Sequence, residues 1–253
     1  MKPASWLGRQ RTDLDACGST NDEAARLARA GASHGAIVIA ASQRAGRGRD
    51  GHVWVSPPGA GLYLSIVLRP PLPAHDVPPL ALAIGIAVCD AARAHGAHAE
   101  LKWPNDILVG RQKLGGVLVE SESQGGRIQW IVVGIGVNLV GDLPPELHAI
   151  SIERARDGDP VDRETFIAEL LAQLEMWIDR YIALGLPAVA EPWRTRMAPD
   201  LVCRATIDGI PLVGVCAGLA DDGALVLREA TGAMHRVRSG DVQIDRQVSQ
   251  CPI

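Results

Sequence analysis

Apolar positions follow two periods along the chain. From Thr20 to Gly31 the period is helical: Thr20 and Glu23 read as a capping box, Leu27 sits on the apolar stripe, and Gly31 reads as a stop. GAIVIAAS (35–42) predicts a buried strand. HVWVS (52–56) and GLYLSIVLRP (61–70) predict two strands joined by a Pro-Gly turn. A buried helix is predicted over about 77–95. AELKW (99–103), DILV (106–109), GGVLVES (115–121) and IQWIVVGIGVNLV (128–140) then predict strands with short connections, QGGR (124–127) serving as a hairpin turn. Over about 161–184 the helical period returns, with Phe166, Leu170, Leu174, Trp177 and Tyr181 as a core-packing stripe that Gly185 ends. After Met197 the pattern changes to LVCRATI (201–207), PLVGVCAGL (211–219), GALVLREA (223–230) and MHRVRSGDV (234–242), with turns at DGIP and DDG. About fifty residues of close-spaced strands predict a small barrel set apart from the α/β part.

Composition narrows the class. In 253 residues, 47% are hydrophobic and only 4% aromatic, so Ala, Val, Leu and Ile must fill the core of one large domain or a large plus a small one. A net charge of −4 argues against a general nucleic-acid binder, which needs a basic face. Five scattered cysteines, Cys17, Cys89, Cys203, Cys216 and Cys251, form no C-x-x-C pair and read as free thiols in a reducing compartment. The start, MKPASWLGRQRTDLD, carries no apolar signal region, and the longest apolar run, PLALAIGIAVC (79–89), is too short to span a bilayer. A soluble cytoplasmic protein without a membrane partner is expected. The seven histidines show no helical metal-ligand spacing, and no metal ligand set is expected.

Gly46, Gly48 and Gly51 spell G-x-G-x-x-G. A dinucleotide turn needs a helix after it, because its anion site is that helix's N-terminus. Here HVWVSPPG follows, β-branched, aromatic and proline-rich, so a nicotinamide oxidoreductase is excluded. What remains is a loop with Arg44, Arg47 and Arg49 among glycines: bare backbone that can approach a ligand, and guanidinium forks that match carboxylate and phosphate oxygens. KWPND (102–106) puts a proline after a strand, placing Lys102 and Asp106 at a sheet rim. In KLGGVLVE (113–120), strand alternation puts Lys113 on one face with Gly115. In GIGVNL (134–139), Gly134, Gly136 and Asn138 share a face, two bare positions and an amide, as close approach of a ligand or another backbone would require.

Together with STN (19–21), these stretches resemble the biotin–protein ligases, also called biotin–[acetyl-CoA-carboxylase] ligases. The likeness covers about residues 12 to 245, with AGLADDGALVL (217–227) and VRSGDV (237–242) resembling the family's C-terminal domain. The resemblance implies an α+β fold: a class II aminoacyl-tRNA-synthetase-like mixed sheet with flanking helices as the catalytic domain (1–198), and an SH3-like β-barrel (199–253). It implies ATP-dependent activation of biotin to biotinyl-5′-AMP, with Mg²⁺, and transfer to a lysine of a biotin carboxyl carrier protein. Ser19, Thr20, Asn21, Gln43, Arg47, Lys113, Gly115 and Gly116 would hold biotin; Gly46, Arg47, Gly48, Arg49, Gly51, Trp54 and Asn138 would hold ATP and the adenylate. Lys113, Arg47 and Asp106 would be catalytic: Lys113 bridging the biotin carboxylate and α-phosphate, Arg47 with Arg49 covering the phosphates, Asp106 orienting the acceptor amine or taking its proton.

Two features depart from the family. Asp50 stands where a second arginine often follows GRGR, lowering the loop's charge. Only 18 residues precede Ser19, too few for the DNA-binding module of longer relatives, so no DNA binding is expected. A lipoate/octanoate ligase is the nearest rival, but its Arg-Arg-x-x-Gly-Gly-Gly and His-Asp signatures are absent. A non-catalytic biotin or nucleotide-binding module would not explain Lys113 beside the arginine loop. Monomer or homodimer is left open.

Overall fold

The apolar runs of the first half pair into a single sheet. The computed structural model describes residues 5–207, 209–238, 240 and 242–245. In chain order these form β1 (Arg11–Leu14), α1 (Thr20–Arg29), β2 (Ile37–Ala40), β3 (Gly61–Leu68), α2 (Leu80–Ala94), β4 (Ala99–Lys102), β5 (Asp106–Val109), β6 (Gln112–Gln124) and β7 (Arg127–Asn138). There follow α3 (Ile152–Ala155), α4 (Arg163–Leu184), α5 (Pro187–Arg194), β8 (Val202–Ile207), β9 (Ile210–Leu219), β10 (Leu225–Arg228), β11 (Met234–Val237) and β12 (Gln243–Ile244). The first seven strands make one sheet in the order β1-β2-β3-β7-β6-β5-β4, parallel only between β1 and β2 and therefore mixed. The remaining five make an antiparallel sheet, β11-β10-β9-β8-β12.

Alternation along β7 decides where the cavity lies. Ile131, Val133, Ile135 and Val137 point into the main core, packed with the apolar faces of α2 and α4. Val132 points the other way, into a smaller cluster with Ala24 and Ala28 of α1. On that second face, the next two outward positions are Gly134 and Gly136. The ten-residue α1 covers only part of the face, and the glycines lie beyond it.

The α4 stripe is buried as its period predicts, with Asp162 Oδ1 accepting from Thr165 N at 2.7 Å as N-cap, and Gly185 at φ +67° ending the helix. The QGGR turn closes β6 onto β7 through Gly125 and Gly126, both at positive φ. The stretch Ala74–Ala94 is long and apolar enough to cross a membrane, yet 67% of its apolar window is buried here, with α2 as a core helix.

Several expectations change. HVWVS forms no strand: the loop folds back on itself, and Val53 is left 78% exposed. Thr20 is not the cap of α1. Ser19 holds the N-cap position, and the Thr20 hydroxyl turns to Gln43. β1 and α5 had no clear periodic signal, being four and eight residues long. The strand expected through Val242 ends at Val237, and Ser239, Asp241 and Cys251 lie outside the described residues.

The large sheet is tied to the segment leading into β8 and to the β9–β10 turn through specific bonds. Leu101 N donates to Arg196 O at 2.8 Å, Ala198 N to Leu101 O at 2.9 Å, and Trp103 Nε1 to Gly223 O at 3.0 Å. Cys203 and Leu212 of the small sheet belong to the same apolar core as α2 and α4.

Candidate active site

A cavity of about 590 Å³ opens on the glycine face, between the N-terminus of α1, the arginine loop, β5–β6–β7 and the β12 edge of the small sheet. Its floor is bare because other side chains need the room. A Cβ at Gly136 would lie 2.5 Å from the Trp54 ring, and one at Gly134 would run into the Asn21 amide. The expected close approach is real, but the approaching groups are this chain's own side chains.

Lys113 reaches the floor by a route that alternation does not predict. Between β5 and β6 the register slips: Ile107 pairs with Gly115, but Leu108 pairs with Lys113, leaving Leu114 as an extra residue. That bulge turns Lys113 to the face of Gly116, where a Cβ would stand 3.3 Å from Lys113 Cε. Lys113 therefore does not share a face with Gly115, which lies against β7. The Lys113 backbone is held on the other side by Ala149, with Lys113 N donating to His148 O at 2.9 Å and Ile150 N to Lys113 O at 3.0 Å.

The charged end of the cavity is a carboxylate shared by two ammoniums. Lys102 Nζ lies 2.9 Å from Asp106 Oδ2, and Lys113 Nζ 2.5 Å from Asp106 Oδ1. Burial alone would raise the Asp106 carboxyl, but the charges of Lys102 and Lys113 outweigh it and hold it below the usual carboxylate range. Lys102 is nearly buried while Lys113 remains 36% exposed, so Lys113 is the cation with access to a ligand. Lys113 Nζ also sits 5.5 Å from the Trp54 ring centroid. The Trp54 indole N–H is buried without an acceptor among the described residues.

The opposite end is polar, with its charges paired. Gln43 Oε1 accepts from Thr20 N at 2.8 Å and Thr20 Oγ1 at 3.1 Å, while Gln43 Nε2 donates to Ser56 Oγ at 2.9 Å. Ser65 Oγ, fully buried on β3, lies 2.8 Å from Thr20 Oγ1 and 2.6 Å from Asn21 Oδ1. Asn21 Nδ2 donates to Glu120 Oε2 at 2.6 Å, and Glu120 in turn accepts from Arg47. The network fixes every side-chain amide and hydroxyl it contains.

The arginine loop is a tight arm rather than a strand. Gly48 N donates to His52 O at 2.7 Å and Trp54 N to Gly46 O at 2.9 Å, around a 3₁₀ turn at Arg49–Gly51. Gly46 has no room for a Cβ beside Trp54 O, and Gly51 takes φ +79°. Arg47 is pinned to Asp22 at 2.8 Å and to Glu120 at 3.2 Å; the Asp22 hydrogen bond leads in raising its already high pKa. Arg49 faces Asp50 at 3.9 Å.

The cavity thus gathers Ser19, Thr20, Asn21, Gln43, Arg47 and Gly48, and with them Arg49, Trp54, Asp106, Lys113 and Gly116. Gly46, Gly51, Gly115 and Asn138 shape it without lining it. Asn138 Nδ2 donates to Lys113 O at 3.2 Å and Ile150 O at 3.3 Å, fastening the Lys113 backbone. Arg44 is likewise outside the lining. Sequence reasoning passes over Ser65 and Glu120 of the polar network and Arg111, which lines the cavity. A lone serine inside the apolar run GLYLSIVL is the available signal for the first; Glu120 alternates with Leu118 and Gly116 on the floor side; Arg111 leaves no trace. Among the described residues no group of His, Cys, Asp or Glu side chains converges to hold a metal ion. Asp50 and Asp106 are the carboxylates lining the cavity.

Residues 18–138 match the model of the Biotin/lipoate A/B protein ligase family, and residues 203–245 that of the Biotin protein ligase C terminal domain. The chain is 35% identical to the biotin–[acetyl-CoA-carboxylase] ligase of Paracoccus denitrificans over 229 residues, covering 85% of this chain and 92% of that protein. It is 32% identical to the bifunctional ligase/repressor BirA of Bacillus subtilis over 247 residues, covering 94% and 75%. In fold it is similar to the biotin protein ligase of Aquifex aeolicus in complex with biotin and ATP, with TM-score 0.78 and 24% identity, covering 94% of this chain and 99% of that one.

Proposed function

The chain belongs to the biotin protein ligases, and from that membership we propose how its cavity works. It is an ATP-dependent ligase that activates biotin as biotinyl-5′-AMP and transfers the biotinyl group to a lysine of a carrier protein. The observation that carries the site assignment is the Lys102–Asp106–Lys113 cluster, at the edge of a glycine floor in the same cavity as the polar Ser19–Thr20–Asn21–Gln43 end.

The first step brings a carboxylate against the α-phosphate of ATP. Two unit charges 4 Å apart repel by roughly 4 kcal/mol at an effective dielectric near 20. Two ammoniums around one carboxylate leave a positive charge in excess, and the half-exposed Lys113 amine carries it. Lys113 exchanges Asp106 for the meeting oxygens of substrate carboxylate and phosphate, where charge develops. Lys102 keeps Asp106 paired and ionised while Lys113 is away. Arg49, with Arg47, covers the phosphates as the loop closes, and closure shields the mixed anhydride from water.

Biotin's ureido ring is neutral, so the Ser19–Thr20–Asn21–Gln43 end suits it. Trp54 over Gly136 gives the adenylate an aromatic wall. Asn138 acts here by fastening Lys113. Mg²⁺ would come with the nucleotide, held by its phosphates and water, since no group of three or more ligating side chains converges among the described residues. In the second step a carrier lysine attacks the anhydride carbonyl and AMP leaves. Once Lys113 has moved, Asp106 Oδ1 is free to orient that amine, while Lys102 keeps the carboxylate ionised.

We assign residues 1–198 to catalysis and 199–253 to a C-terminal domain whose β12 edge closes the cavity. The reading places the ligase in the cytoplasm and includes no nucleic-acid or membrane partner. Pyrophosphate release from ATP, measured with biotin, lipoate and octanoate offered separately, tests it. Release with biotin alone, followed by biotinylation of a carrier domain, is expected; release with lipoate alone replaces the reading.

A further inference from the structure

Two thiols lie outside the ligase machinery. Cys203 on β8 and Cys216 on β9 are buried in the small sheet, and Cys216 Sγ–H donates to Cys203 Sγ across 3.3 Å. The register explains the approach. Cys203 pairs with Gly214, which makes Cys216 its diagonal neighbour on the same face. A disulfide needs sulfurs about 2.05 Å apart, so closure asks for a movement of roughly 1.3 Å.

A buried cysteine is often no more than a small apolar filler. Cys89 on α2 is such a case: its Sγ–H is spent on Ala99 O, and burial pushes its thiol up to about 12. Cys203 differs. The hydrogen bond from Cys216 holds its thiol below the ordinary value against burial, with help from the Lys102 and Arg111 charges. The thiolate is the reactive form. Cys203 is also the register partner of Ile244 on β12, and Gln243 and Ile244 line the cavity.

We propose that Cys203 and Cys216 are an oxidation site, a dithiol that hydrogen peroxide closes to a disulfide and that is felt at the cavity rim through β12. The Cys203 thiolate attacks one peroxide oxygen; the O–O bond breaks and the departing hydroxide takes up a proton as water. Cys216 sulfur then attacks the sulfenic sulfur, the S–OH bond breaks, and the hydroxide leaves with the Cys216 proton as a second water. Two thiols lose two electrons and one peroxide becomes two waters. The chemical half stands without the ligase reading; the kinetic half rests on it.

The test treats the full-length protein with hydrogen peroxide, blocks remaining thiols in denaturant, and maps linked peptides by mass after digestion. A Cys203–Cys216 link that dithiothreitol reverses is expected. The KM for ATP of the oxidised enzyme should shift by roughly threefold, and Cys203→Ser protein taken through the same treatment should show no shift. Linkage through Cys17, Cys89 or Cys251, or both thiols still alkylated after oxidation, overturns the site. A mapped link with unchanged KM overturns its connection to the rim. Mapping on the unaltered protein keeps the site testable if the serine variant does not fold.

Discussion

The cavity's floor and its lid are built by opposite means. The floor, β6 and β7, is paired along ten registered positions, with its apolar side sunk into the main core. The lid, Gln43 to Ser56, keeps its shape through a few backbone bonds, glycines and ion pairs to Asp22 and Glu120, and leaves Val53 in solvent. A floor of this kind fixes distances between reacting groups; a lid of this kind can release and re-form its contacts as ligand enters. Changes on the floor should therefore alter chemistry and stability together, and changes on the lid should alter ligand retention with little cost in stability.

The largest expected effect is at Lys113, the cation that β6 presents to the cavity. Lys113→Ala should slow adenylation by roughly 10²–10³, the range for losing one donor aimed at the transition state. Pyrophosphate release measures this, and near-normal turnover would remove Lys113 from its role.

Next is the carboxylate that Lys113 shares. Asp106→Asn leaves the buried Lys102 ammonium without its partner and should cost about 3 kcal/mol in denaturant unfolding, the low end for a broken buried pair because Lys113 is part-exposed. The sign with pH follows from the lowered pKa. Asp106 contributes its full stability above the unfolded carboxylate value of about 3.9, and that contribution is lost as pH falls below it through the folded value. The variant should lose this part of the acid limb; an unchanged limb would mean the pairing is not kept in solution.

Gly134→Ala tests the floor's bareness. Its Cβ would displace Asn21 from Ser65 and Glu120, for about 1–3 kcal/mol of overpacking, read as a lowered Tm together with weaker biotin binding. A fall in Tm with biotin affinity intact would separate the network from the ligand pocket.

The smallest stability effect belongs to the lid. Asp22→Asn removes one of the two carboxylates pinning Arg47, an exposed pair worth about 1 kcal/mol or less. Tm should hardly change while the adenylate appears in solution faster. A large loss of stability with unchanged adenylate release would reverse the contrast between floor and lid.

Motifs that act locally are legible from residues alone. The glycine loop, the buried strands on either side of KWPND, the QGGR turn and the α4 stripe each depend on neighbours within a few positions, where backbone conformation and side-chain period operate. Three features are not. Thr20 has the look of a cap, but a carbonyl twenty-three residues away, on Gln43, takes its hydroxyl. HVWVS has strand composition, yet β2 and β3 pair directly with each other and leave no edge for it. Alternation puts Lys113 on the wrong face, because one extra residue at Leu114 reverses the count.

By itself the amino-acid order determined most of the helices and strands, with HVWVS, β1 and α5 as the exceptions, that a strand-rich unit would follow the mixed one, and that cations and bare glycines would be brought together. Tertiary structure alone decided which way Lys113 points, that Asp106 serves two lysines, that Trp54 and Asn21 occupy the space over the glycines, and that Cys203 meets Cys216. The physical reason is range. Periodicity reports one element's preference for burial, while a bulge, a shared carboxylate or a diagonal pair exists only once separate strands have chosen their register against one another.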